Sequence, residues 1–236
     1  MEKIVGILGG MGPEATVLVF QKILQHTPAA KDQEHLRILI DNNPKIPERL
    51  PAIMGNGPDP VPMMVLSAEA LARAGADFII IPCVTAHYFL RQLREKAALP
   101  ILSMLDEAAA VVRSSQSGIR KIGLLAAEGT MKAGIFRERF DQDGVETIIP
   151  EGEDRLEAQN LIFKIKDTRT KHNRKEIASR FGEIGERLIR RGAEAILVGC
   201  TEISVAVDPE SFSVRGYDAL DILAKAAVRE AGLKPI

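Results

Sequence analysis

The sequence predicts an α/β fold made of two similar parallel-sheet domains related by a pseudo-two-fold axis, and three observations carry that prediction. Short β-branched runs alternate with helical patterns along the 236 residues. The runs are continuously apolar rather than alternating, as in strands covered on both faces. The same blocks recur after 117 or 118 residues, in a chain long enough for two domains of about 100–120 residues each.

The elements follow in order. KIVGIL, from Lys3, reads as a strand that runs into the glycine turn Gly9–Gly12, and LRILID, ending at Asp41, reads as a second. VPMMVLSAEALARAG has helical spacing and stops at Gly75, and DFIII then leads to Cys83. LPILSMLDEAAAVV begins the crossing into the second half. There KIGLLA is a strand, KEIASRFGEIGERLIRRG a helix closing at Gly192, and AILVG a strand leading to Cys200. YDALDILAKAAVREAG is an amphipathic helix placed to return to the first half. Strands alternating with helices in this way build parallel sheets. The expected domains are 1–98 plus 212–236, carrying Cys83, and 99–211, carrying Cys200, with the active site in the cleft between them.

The two cysteines mark the duplication most sharply. Each lies eight residues beyond the first residue of a similar tripeptide, Gly75-Ala76-Asp77 or Gly192-Ala193-Glu194, and each is followed within two positions by threonine. KIVGILGG from Lys3 resembles KIGLLAAEGT from Lys121, an offset of 118, against 117 for the cysteines.

Composition excludes several functions. A net charge of −1, few aromatic residues and no tryptophan give no basis for binding nucleic acid or an anionic membrane. No apolar run approaches the ~18–20 residues of a membrane span. The N-terminus lacks the features of an export signal, so a cytoplasmic location with reduced thiols is expected. The spacing of cysteines and histidines suits neither a redox CxxC nor a zinc site.

Ligands of open α/β sheets bind at the carboxyl ends of strands, where Cys83 and Cys200 both fall. Helix-N-terminal amides there favour an anion, so either thiol is a candidate for a lowered pKa. An inert pair of core residues is the alternative. Gly10, Gly12, Ala15 and Asp41 offer a rival dinucleotide fingerprint. However, Asp41 comes late, and Pro13 removes an amide that would face a pyrophosphate. His87, four residues after Cys83, is either a satisfied structural histidine or a proton carrier. The charge run KDTRTKHNRKE reads as a solvated helix start or a lid.

PCVTAH at Pro82–His87 and GCTE at Gly199–Glu202 resemble the two cysteine motifs of the cofactor-independent aspartate/glutamate racemase family, and within it those of the aspartate racemases. GILGGMGPEAT, DNNPKIPER and LLAAEGT resemble further blocks, in the family's order and across essentially the whole chain. The resemblance implies a racemase that uses no cofactor, neither pyridoxal phosphate nor metal, and acts on a small acidic amino acid. Cys83 and Cys200 would be the two bases, one on each face of the α-carbon. Met11, Val84, Thr85, Ala86, Thr130 and Thr201 would line the substrate site, and a homodimer is implied. Arg49 would hold the distal carboxylate, a group that a guanidinium grips bidentately. Lys166 would be the second cation, with Lys164 as competitor. Two positions depart from the family pattern: Val84 stands where asparagine is usual, and Leu50 where a small polar residue is common. A non-catalytic or altered-specificity carboxylate-binding protein is the alternative reading.

Overall fold

The computed structural model describes residues 2–115, 118–167 and 173–236, which fall into two compact units. The first unit comprises Met1–Glu107 and Leu220–Ile236 and the second Ala108–Ala219. Along the first run β1 (Val5–Gly9), α1 (Pro13–His26), β2 (Ile38–Asn42), α2 (Arg49–Ile53), α3 (Val61–Arg73), β3 (Phe78–Ile80) and α4 (Leu90–Lys96). Helix α5 (Met104–Arg113) spans the junction. The second unit contains β4 (Lys121–Ala126), α6 (Glu128–Ala133), α7 (Ile135–Asp141), β5 (Glu146–Ile148) and α8 (Gly152–Lys166). It continues with α9 (Arg174–Arg190), β6 (Ala195–Gly199), α10 (Thr201–Ala206) and β7 (Arg215–Asp218). Helix α11 (Ala219–Glu230) returns the chain to the first unit, where Asp221 meets Lys22 at 3.1 Å and His26 at 2.8 Å.

Both sheets are parallel, as the unbroken apolar runs predict. Their orders are β2-β1-β3 and β5-β4-β6-β7. Ile101 adds an isolated parallel bridge to Ile79, on the side of β3 that corresponds to the place of β7 beside β6. Residues of β1 and β6 are buried throughout, and so are those of β3. Leu8, Met64, Leu71 and Ile79 form the centre of the first core, and Leu125, Ile162, Phe181 and Ile196 that of the second.

The sheet register gives the duplication a single offset. Val5 pairs with Phe78 as Ile122 pairs with Ala195, so equivalents are 117 residues apart in the central strands as well as at the cysteines. The offset of 118 suggested by Lys3 and Lys121 is one residue out, a slip that would turn every side chain to the opposite face. The correct register matches Gly6 with Gly123. A Cβ at Gly6 would lie 3.1 Å from Ala76 and 3.4 Å from Leu71; at Gly123 it would lie 3.2 Å from both Ala193 and Leu188. Each central strand lacks a side chain where a helix, its following turn and the neighbouring strand crowd it, Phe78 at Gly6 and Ile196 at Gly123.

The matched tripeptides have matched work. Gly75 and Gly192 take φ of 94° and 99° just after α3 and α9, a left-handed turn that glycine adopts without a Cβ penalty. The acid two residues later ties the turn to the central strand. Asp77 accepts the amide of Ile4 at 2.6 Å, and Glu194 accepts those of Arg120 at 2.6 Å and Lys121 at 3.2 Å.

Of the charge run, α9 begins at Arg174, with Asn173 accepting the amides of Lys175 and Glu176 as its N-cap. Residues 168–172, including His172, lie outside the described residues, so the lid reading falls there. Among the described residues no helix is long and apolar enough to cross a membrane.

Candidate active site

In the first unit the candidate residues lie past the carboxyl ends of three adjacent parallel strands. Met11 follows β1, Arg49 follows β2 and Cys83 follows β3. Cys83 is a buried free thiol at the start of the 3₁₀ turn Val84–Phe89, against which α2 packs. Met11, Cys83 and Ala86 share one apolar cluster. The amide of Ala86 donates to Cys83 O at 3.2 Å within the turn, Thr85 is half-buried, and Val84 is buried.

His87 fixes this turn. Its Nε2 lies 3.0 Å from the Met104 amide, which can only donate, so Nε2 is the acceptor. The ring proton therefore sits on Nδ1 and goes to Cys83 O at 3.0 Å. Burial lowers the pKa of this histidine from 6.5 to about 4. Both ring nitrogens are occupied and the ring is neutral at pH 7. Of the two readings of His87, the satisfied structural histidine is the one observed.

Arg49, the first residue of α2, is partly buried and bonded to backbone carbonyls. Its Nη1 donates to Ile46 O at 3.3 Å and Pro47 O at 2.8 Å, and its Nη2 to Met11 O at 3.3 Å. These bonds join the two loops, while the buried Nε–H has no hydrogen-bond partner. The glycine turn beside it is filled by the chain itself. A Cβ on Gly10 would collide with the Asn43 backbone, and the Gly10 amide already donates to Thr16 Oγ1 at 2.9 Å. The glycines thus serve internal packing, and the dinucleotide reading loses the amide it would need.

In the second unit Thr130 follows β4 and Cys200 follows β6, at the same end of a parallel sheet. Thr130 is buried in α6, which is joined to α8 by Arg155 bonded to both oxygens of Glu128 at 2.7 and 3.1 Å. Cys200 is also a buried free thiol, with Leu161 and Ile162 of α8 in its cluster. Its Sγ–H donates to Glu202 Oε2 at 3.0 Å, and Thr201 Oγ1 lies 3.4 Å from the same oxygen. Glu202 Oε1 faces Lys166 Nζ at 3.4 Å. Lys164 instead lines a surface groove with Glu157 and Arg180.

The expected fall in thiol pKa is reversed at Cys200. Burial first, and the Glu202 carboxylate second, push this thiol well above its ordinary range, and the charge of Lys166 only partly offsets them. A helix terminus favours the thiolate, but a desolvated thiol beside an anion keeps its proton. Glu202 was missed as a functional candidate, although it closes the quoted GCTE motif. A carboxylate two residues from a buried thiol was the available signal.

A second correspondence spans the repeat. Ser204 occupies the position equivalent to His87. Its Oγ lies 3.3 Å from Cys200 O and donates to Asp218 Oδ1 at 2.7 Å. Each cysteine carbonyl thus has a polar side chain four residues on that reaches the next segment of its own unit.

Two parallel-sheet units thus each carry a buried free thiol past the end of a matched strand. The chain belongs to the Asp/Glu/Hydantoin racemase family, whose family model it matches over residues 8–227. It is similar to the aspartate racemase of Picrophilus torridus, with 30% identity and a TM-score of 0.87, covering 99% of this chain and 96% of that one. The broad specificity amino-acid racemase RacX of Bacillus subtilis (strain 168) is 24% identical over 232 residues, 95% of this chain and 96% of that protein. An aspartate racemase homologue from Pyrococcus horikoshii OT3 shares the fold with a TM-score of 0.76 at 24% identity, covering 98% and 99% of the two chains.

Proposed function

We propose that this racemase interconverts L- and D-aspartate by two-base proton transfer between Cys83 and Cys200, without pyridoxal phosphate. The observation that carries the reading is the matched placement of the only two thiols in the chain, at equivalent strand ends of a duplicated unit. In this mechanism one cysteine, as thiolate, takes the α-proton from one face of the substrate. The other, as thiol, gives its proton to the opposite face. Each turnover leaves the two protonation states exchanged, and the reverse reaction uses the exchanged form.

The α-proton is too weakly acidic for positioned bases to account for the whole acceleration. Donors aimed at the α-carboxylate supply the rest by stabilising the charge that develops. Thr85, Thr130 and Thr201 are the candidates for that work, with Ala86 and Met11 shaping the wall. For the distal carboxylate the unpaired Nε–H of Arg49 is a waiting donor, and Lys166 is the second cation. One methylene in such a pocket discriminates by only ~1–3 kcal/mol, so glutamate is the second substrate to assay.

Incubating L-aspartate with the enzyme in D₂O tests the reading. Deuterium should enter the α-position as D-aspartate forms. Binding of aspartate and glutamate with no exchange from either would favour the second reading, a carboxylate-binding protein without turnover. Val84 motivates that alternative, since it puts a buried isopropyl group beside Cys83 where the family has an amide.

A further inference from the structure

The duplication makes the two cysteines equivalent in backbone position, but it does not make them chemically equivalent. At the offset of 117, the position two residues after Cys83 is Thr85, whereas two residues after Cys200 it is Glu202. Glu202 is the second residue of α10, and its side chain is 12% exposed. One of its oxygens accepts a 3.0 Å hydrogen bond from the Cys200 thiol, and the other faces Lys166 at 3.4 Å. Glu202 contacts this thiol directly, and Lys166, in contact with Glu202, acts on it through its charge. Asp218 approaches the backbone of Cys200 only through Ser204.

We propose that Glu202 is a positioning residue that holds Cys200 as the protonated thiol of the free enzyme, making Cys200 the proton donor and Cys83 the base of the first transfer. This rests on the two-thiol reading above and adds an asymmetry to it. An anion in contact with a desolvated thiol opposes ionisation, and nothing equivalent stands two residues past Cys83. The enzyme would therefore rest in the form that accepts the enantiomer whose α-hydrogen faces Cys83. Lys166 tempers the effect from the other oxygen of the same carboxylate.

Because the chain has only two cysteines, Cys83→Ala leaves Cys200 as the sole thiol, and its thiolate absorbance at 240 nm reports ionisation without requiring turnover. In that background Glu202→Gln should move the titration to lower pH and speed alkylation by iodoacetamide at pH 8 roughly tenfold. Glu202→Asp, which keeps a carboxylate nearby, should restore most of the parent profile. Lys166→Met should move it the opposite way, to higher pH. Unchanged titration in Glu202→Gln, or a shift of the same sign in Lys166→Met, would overturn the proposal. Absence of deuterium exchange in the unmodified enzyme would instead remove the racemase reading while leaving the titration result intact.

Discussion

On the resemblance of PCVTAH to the family's first cysteine motif, Val84 stands where asparagine is usual, and we propose that it limits turnover. Buried beside Cys83, it offers only backbone polarity where an amide is usual. Restoring the amide with Val84→Asn should raise kcat/KM on aspartate about three- to tenfold, the equivalent of one net hydrogen bond. Steady-state racemisation assays on aspartate and glutamate check this, and unchanged turnover on both would remove Val84 as a determinant. His87 makes a prediction of a different kind. Its pKa is about 4 in the fold against 6.5 when exposed, so on acidification the unfolded chain takes up the proton first. Its stabilising contribution is complete above pH 6.5 and is lost as pH falls toward 4, at about 2 kcal/mol between pH 7 and pH 5. Urea unfolding at the two pH values should show that loss, and His87→Gln should flatten it. At this scale the sequence revealed which residue types were present but not their partners. Glu202 closed a visible motif, yet its grip on Cys200 depends on how the first turn of α10 aims two side chains.

Legibility at the level of elements followed the length of the apolar run, so that even the half-exposed edge strand β2 is readable. The five strands read from sequence are those with long apolar runs. The two that were not read, β5 and β7, are Glu-Thr-Ile and Arg-Gly-Tyr-Asp, edge strands with exposed residues that leave no continuous apolar signal. Helix α2 is only five residues long and contains Pro51, so its pattern is too short to detect, although it carries Arg49. The turn between β1 and α1 was visible as a cluster of glycines, but its purpose was not. At Gly10 the φ of 89° and the approach of Asn43 leave no space for a side chain. Gly10→Ala should therefore destabilise the protein by at least about 2 kcal/mol. It should also loosen the loops that Arg49 clamps, raising KM more than it lowers kcat. Thermal melts and saturation kinetics measure the two effects, and a melt unchanged from the parent would contradict the packing argument.

For the whole molecule the decisive prediction concerns the pair of thiols. Cys83→Ala and Cys200→Ala should each reduce racemisation of aspartate by roughly 10³-fold, as expected when a general acid or base is removed. Each should leave a cooperative thermal transition, since the change deletes one small side-chain atom from a buried site. A normal rate in either variant, followed polarimetrically, would refute the two-base mechanism. By itself the sequence determined the α/β class, the parallel sheets, the duplication and the strand ends that carry the cysteines. Each of these follows from local patterns of apolar residues and glycines that one stretch of chain can display. Tertiary structure decided the offset of the repeat, because register depends on pairing between strands far apart in sequence. It also decided the neutral state of His87, the carbonyl clamp made by Arg49 and the protonated state of Cys200. Those properties are set by burial and by charges from other elements, and no local pattern encodes the field that a folded chain places around one side chain.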